Sequence, residues 1–150
     1  MAKFSGEASN TTQPRIVVRD TATLPQTTQA ALFTVSGRVL VTNIIGEVTT
    51  VIQTQANNTK LIANPSVGAD VDICANLDIS ADSVGTIYTI TGTLTDAMVA
   101  TTSGAVQGQL ATILVAGGTI DLNCAASNTG SVKWTIHYIP VDPGSEVRVA

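Results

Sequence analysis

The sequence predicts an all-β fold: a β-sandwich, jelly-roll-like, with an extended N-terminal arm. Three observations carry this. Apolar and polar residues alternate with period two in several runs, most clearly over Asp70–Ser80 and Ser131–Ile139. Turn-forming clusters separate the runs, among them Asn57-Asn58, Asn64-Pro65, Asp82–Gly85, Ser103-Gly104, Gly117-Gly118, Ser127–Gly130 and Asp142-Pro143-Gly144. Hydrophobic residues make up 44% of the chain but aromatics only 3%, so Val, Ile, Leu and Ala must fill the core. The β-branched members of that set favour strands. Short strands spaced by turns every roughly 8–12 residues suggest a sandwich or barrel, here of roughly eight strands.

The elements follow in order. Residues 1–30 are polar, rich in Thr, Gln, Ser and Asn, and are broken by Pro14 and Pro25. They read as an extended arm, set apart from a single sandwich domain over residues 31–150. One island in the arm, Arg15-Ile16-Val17-Val18-Arg19, has strand character. Two readings of the arm stand side by side. It is either a frayed terminus or a segment that adds its strand to a neighbouring subunit, with Arg15, Ile16, Val17, Val18 and Arg19 as the partner interface. Gly37–Ile45 places Val39, Val41, Asn43 and Ile45 on one face, and Gly46 punctuates it. Glu47–Gln53 alternates Val48, Thr50 and Ile52 against Thr49, Val51 and Gln53. Asp70–Ser80 sets Val71, Ile73, Ala75, Leu77 and Ile79 against Asp70, Asp72, Cys74, Asn76, Asp78 and Ser80, with a possible break at Ala75-Asn76. Further strands are expected at Thr86–Thr95, Leu110–Ala116, Thr119–Cys124, Ser131–Ile139 and Glu146–Val149. In Ser131–Ile139, Val132, Trp134, Ile136 and Tyr138 share the inward face. Asp96–Gln109 shows no strand signal and reads as a loop or a brief helix capped by Asp96.

Composition narrows the function. The chain of 150 residues is one domain's worth and can bury a core without metal or disulfides. Charged residues are 12%, about half the usual share, and 23 threonines take up much of the difference. Seven Lys plus Arg against eleven acids give a net charge of −4 with no basic cluster, which argues against nucleic acid as a partner. No stretch approaches a membrane-spanning run, so no membrane partner is expected. The first residues lack the apolar core of a secretory signal, so the expectation is assembly in a cytoplasm. Cys74 and Cys124 are too few for a disulfide framework and read as two small buried thiols.

No residue pattern specifies a reaction. His137 is the lone histidine, and its strand-face neighbours are Lys133 and Thr135. There is no G-x-S-x-G elbow, no phosphate-cradling glycine loop, and no C-x₂-C pair for zinc. Asp70, Asp72 and Asp78 share a strand face and Asp121 lies on the polar face of another. Asp70 and Asp78 would stand roughly 26 Å apart on a straight strand, so these carboxylates read as a solvated face and not a calcium site. Trp134, Tyr138 and Tyr88 read as core anchors. Catalytic, cofactor-binding and metal-binding residues are therefore expected to be none.

The C-terminal third carries a resemblance. The runs Leu114-Val115-Ala116-Gly117-Gly118-Thr119-Ile120-Asp121-Leu122, Asn128-Thr129-Gly130-Ser131-Val132-Lys133-Trp134 and Tyr138-Ile139-Pro140-Val141-Asp142-Pro143-Gly144 are similar to small β-proteins encoded in tailed-bacteriophage head modules. The resemblance lies in turns and strands and brings no catalytic residues. It implies a head decoration or cement protein: a virion protein on the capsid surface, homotrimeric, with an N-terminal arm on the major capsid protein. A virion protein assembled in the host cytosol and freed by lysis also suits a Thr-rich, charge-poor surface without an export signal. The alternative is another virion module, a spike, fibre tip or tail-associated protein that contacts the host surface. A small glycan hydrolase is a weaker third reading, because no convincing carboxylate pair supports it.

Overall fold

A computed structural model describes residues 13–26 and 29–150. The elements in chain order are β1 (Arg15–Thr23), β2 (Gln29–Ser36), β3 (Val39–Thr50), β4 (Asn58–Pro65), β5 (Val71–Asp72), β6 (Leu77–Asp78), β7 (Ile87–Thr89), β8 (Val99–Thr101), β9 (Ile113–Val115), β10 (Gly118–Cys124), β11 (Ser131–Pro140) and β12 (Glu146–Val149). No helix occurs among the described residues. Two antiparallel sheets form the sandwich. The first runs β1-β11-β3-β7-β8, with β9 also on β3; the second runs β12-β2-β10-β4-β5, with β6 also on β4. The pairing is nested: β2 with β12, β3 with β11, β4 with β10, β7 with β8. Successive nested pairs alternate between the sheets, so the chain follows the jelly-roll-like path of one long hairpin wrapped around a core.

Alternation explains which side chains fill that core. Val132, Trp134, Ile136 and Tyr138 of β11 are all buried, as their shared strand face requires. From the facing sheet, Phe33 and Val35 of β2, Leu61 of β4, and Ile120, Leu122 and Cys124 of β10 meet them. One row crosses the first sheet through Trp134, Gly46 and Tyr88, which are directly paired on β11, β3 and β7. A Cβ on Gly46 would lie 2.8 Å from Cζ3 of Trp134. Glycine is therefore required here for close approach and not for a turn. The sequence-based break at Gly46 is corrected accordingly: Gly37–Ile45 and Glu47–Gln53 largely merge into the single strand β3.

Other expectations also change. The Asp70–Ser80 strand is two short pieces, β5 and β6, separated by a stretch in which Ile73 and Cys74 are both buried. Ala75 in that stretch forms an isolated bridge to Ala97. Asp96–Gln109 contains the strand β8 and no helix, because β7 offers it a partner that three residues of sequence could not reveal. β4 runs through the Asn57-Asn58 and Asn64-Pro65 turn signals, which conceal it in the sequence, and it is organised by its ladder to β10.

The largest correction concerns residues 1–30. β1 pairs antiparallel with this chain's own β11 from Arg15↔Tyr138 to Thr23↔Ser131. β2 then begins at Gln29, across the drawn boundary. Residues 1–12, the first part of the proposed arm, lie outside the described part. The reason for the correction is pairing: a hydrogen-bonded edge of β11 accepts the Ile16–Val18 island within the same chain.

Two outcomes are expected from this packing. Trp134→Ala should destabilise the fold by about 3–5 kcal/mol, and Gly46→Ala by about 1–3 kcal/mol through overpacking against the indole. Urea unfolding followed by far-ultraviolet circular dichroism checks both. Deleting residues 1–23 should lower the melting temperature of the free protein, because it strips a nine-residue strand from the sheet edge. An unchanged melting temperature would show that β1 is not part of the folded unit.

Candidate functional site

The five residues read from the sequence as a partner interface fall on one edge strand and divide by face. Register places Arg15 opposite Tyr138, Ile16 opposite His137, Val17 opposite Ile136, Val18 opposite Thr135 and Arg19 opposite Trp134. Val17 is half-buried and packs on the core. Arg19 is also half-buried, and its Nη1 donates to the carbonyls of Leu32 at 3.1 Å and Ala150 at 2.9 Å. These bonds tie the edge of one sheet to the other, so Arg19 is engaged within the chain's own fold. Ile16 and Val18 point outward and are 62% and 42% exposed. Arg15 opens the strand and is exposed.

These two aliphatic residues belong to a wider surface, the outer face of the first sheet. One row runs Val18, Thr135, Ile45, Thr89 and Val99 across five strands. The next row runs Ile16, His137 and Asn43, and a third runs Ile139, Leu40 and Leu114. These rows hold no Lys, Arg, Asp or Glu, and the row on the other side of Thr135 pairs Lys133 with Glu47. Leu114 is 56% exposed. Sequence reading missed this face because it placed Asn43 and Ile45 with Val39 and Val41. A register shift between His137 and Tyr138 leaves Thr42 as an extra residue and turns the following positions over. Thr42 donates its hydroxyl to the carbonyl of His137 at 3.2 Å, filling the irregularity. Period-two counting has no means of registering such a bulge.

The other residues singled out from the sequence do not converge. His137 faces Ile16 and Asn43 across the ladder, and neither is an acid or a nucleophile. Asp72 is bridged by Lys60 at 2.8 Å. Asp78 accepts from the backbone amides of Asn57 at 2.9 Å and Ser80 at 3.0 Å, which holds its carboxyl below the ordinary range. Asp70 and Asp121 share the side-chain amide of Gln29. Among the described residues no three His, Cys, Asp or Glu side chains are grouped for a metal. Cys74 and Cys124 are free and buried, and burial raises both thiols. That favours inert thiols over nucleophiles. Tyr88 is likewise raised, first by burial and then by its hydrogen bond to Asp82.

A cleft of about 190 Å³ opens between the sheets, lined by Ala63, Pro65, Val71, Ile113, Leu114 and Val115 among others. It is below the roughly 300 Å³ at which small-molecule pockets begin, and it lacks converging polar groups. No helix among the described residues is long and apolar enough to cross a membrane. The chain matches no family model, no curated protein and no solved structure.

The carboxylates give a pH dependence with a definite sign. Asp142 is held below the ordinary range, chiefly by its side-chain hydrogen bond from Arg38, as Asp78 is by backbone amides. A depressed folded-state value means that the stabilisation is present above the unfolded value of about 3.9. It is lost as the pH falls through the folded values. Thermal melts from about pH 6 down to about pH 2 should show this acid limb, and it should be shallower in Asp78→Asn, which removes one titrating group.

Proposed function

We propose that this chain is a structural virion protein, a head decoration or cement protein that binds the outside of a tailed-bacteriophage capsid. The observation that carries the reading is the aliphatic part of the first sheet's outer face, where Ile16, Val18, Val99 and Leu114 are exposed along rows that hold no Lys, Arg, Asp or Glu. Exposed aliphatic residues grouped on one face are a mark of interaction surfaces. The sequence resemblance of the C-terminal third supplies the kind of partner: the major capsid protein, and copies of this chain in a homotrimer. The mechanism is burial of this face across neighbouring shell subunits. Binding to the assembled shell and not to its separated subunits stabilises the shell by mass action, without a reaction.

The boundary of the partner contact changes from the sequence reading. Ile16 and Val18 remain available on β1, whereas Val17 and Arg19 are engaged inside the fold. The contact is therefore assigned to the sheet face and not to a detached strand. Enzymatic function has no constellation to support it among the described residues. The host-contacting spike or fibre-tip reading shares the same face and differs in copy number.

The test joins binding to counting. Ile16→Asp with Val18→Asp should weaken co-sedimentation with stripped capsid shells by more than about tenfold, roughly 1.4 kcal/mol or more. Because both side chains are exposed, the melting temperature should move little. Densitometry of purified particles should show a band abundant in heads and missing from tails. A band confined to tail fractions would favour the host-contact reading, and wild-type sedimentation of the double variant would remove this face from the interface.

A further inference from the structure

The outer face of the second sheet differs from that of the first. Its centre is Asp121 on β10, opposite Ala31 of β2 and Ile62 of β4. Asp121 is only 4% exposed, although it projects from the outer side of the sheet. Its Oδ2 accepts from Gln29 Nε2 at 2.7 Å and from Asn64 Nδ2 at 3.1 Å. The same Gln29 Nε2 reaches Asp70 Oδ2 at 3.3 Å. The other oxygen of Asp121, Oδ1, is buried and has no hydrogen-bond partner. Side chains from β2 and β4 therefore meet at the Asp121 carboxylate, and Asp70, from the segment before β5, joins them through Gln29.

The charge balance of this cluster is unusual. Buried carboxylates are ordinarily paired with a cation or bound to a metal. Asp121 is met by two neutral amides, and a second carboxylate, Asp70, shares one of them. Lys60 projects from the same face but is bridged to Asp72. The backbone is also adjusted at this place. The β10–β2 register shifts between Ile120 and Asp121, leaving Leu32 as an extra residue in β2. Bulges of this kind re-aim side chains and are over-represented beside functional sites.

We propose that Asp121, Asp70, Asn64 and Gln29 form a binding site for a hard divalent cation of the Ca²⁺ class. Calcium takes carboxylate and carboxamide oxygens at about 2.3–2.6 Å in flexible geometry. The amide groups of Gln29 and Asn64 present nitrogen to the carboxylates, and a half-turn of each terminal carboxamide presents oxygen instead. Donor–acceptor separations of 2.7–3.3 Å are close to the oxygen–oxygen spacings around such an ion, so the site needs only small expansion. Oδ1 of Asp121 supplies a further oxygen, and exposed Asp70 gives the ion a route from solvent. Two carboxylates completed by two carboxamides form a low-charge set, which belongs with the weak class of calcium sites at about 10⁻⁴–10⁻³ M. Mg²⁺ fits less well, because it demands near-ideal octahedral geometry and dehydrates reluctantly. This site is independent of the capsid reading: it lies on the opposite sheet.

The experiment is calcium titration of the full chain, stripped of metal with a chelator, by isothermal calorimetry and thermal melting. Wild type should bind one Ca²⁺ with a saturable rise in melting temperature, and Mg²⁺ should give a smaller one. Asp121→Asn and Asp70→Asn should each weaken calcium binding by about tenfold or more, in the range seen when a carboxylate ligand or its support is lost. Asp72→Asn, which removes the Lys60 bridge on the same face, should leave calcium affinity within about twofold of wild type. If Asp121→Asn does not fold, the exposed Asp70→Asn variant decides. Absence of heat and of a melting shift with wild type up to about 10 mM Ca²⁺, ten times the weak-class limit, overturns the site and leaves Asp121 as a water-bonded carboxylate. Unchanged affinity in Asp70→Asn overturns it equally.

Discussion

Trp134 lies against the bare backbone of Gly46, and much of the first sheet is arranged around that contact. The indole sits on β11 and Tyr88 on β7, with β3 between them. Two strand spacings separate such positions by roughly 9.5 Å, yet the ring centroids are 6.3 Å apart at an interplanar angle of 25°. The rings lean toward each other over the place where a Cβ of β3 would stand. Tyr88 is then fixed at its far end by a 2.6 Å hydrogen bond to Asp82. In a chain with so few aromatics, this pair supplies a large share of the bulk that Val and Ile cannot.

The same cross-strand row continues to the edge of the sheet. Arg19 is paired with Trp134, and its guanidinium bonds carbonyls at Leu32 and Ala150 in the facing sheet. Leu32 is the extra residue of the β10–β2 bulge, and its carbonyl also accepts from the backbone amide of Ala150. One local irregularity thus serves two purposes. It supplies an acceptor that latches this side of the sandwich, and it adjoins the position where Asp121 enters the ladder. The opposite side, between β5 and β9, is less tightly closed and leaves the small apolar cleft.

The two outer faces have different chemistry. That of the first sheet is largely aliphatic and hydroxyl-bearing, with charge in the Lys133–Glu47 row, and its aliphatic rows are suited to burial against another protein surface. That of the second carries Asp70, Asp72, Asp121 and Lys60, with carboxamides between them. A sandwich whose outer faces differ in this way can contact a partner on one side and remain solvated on the other. The proposed capsid-binding role draws on the first face, and the proposed cation site on the second.

Periodicity and turn chemistry determine much of this protein from sequence alone. The all-β class and the inward face of Val132, Trp134, Ile136 and Tyr138 follow from local pattern, because side-chain direction in a strand alternates whatever the partner, whereas Cys74 is buried against its alternation. Tertiary structure decided what depends on partners. It alone showed that Gly46 is a seat for an indole and not a break, since its cause lies nearly ninety residues away on β11. It placed Ile16–Val18 in the chain's own sheet, because an edge of β11 was available to pair with β1. It split Asp70–Ser80, where Ala75 bridges Ala97 instead of continuing on β4, and it turned Asn43 and Ile45 outward, because the β3–β11 bulge shifts the alternation by one. Asp121 and Asp70 were read as separate solvated acids, and only the pairing of β10 with β2 and β4 brings Gln29 and Asn64 to the same carboxylate. Registry between distant strands is set by packing and by bulges, and neither leaves a periodic trace in the sequence.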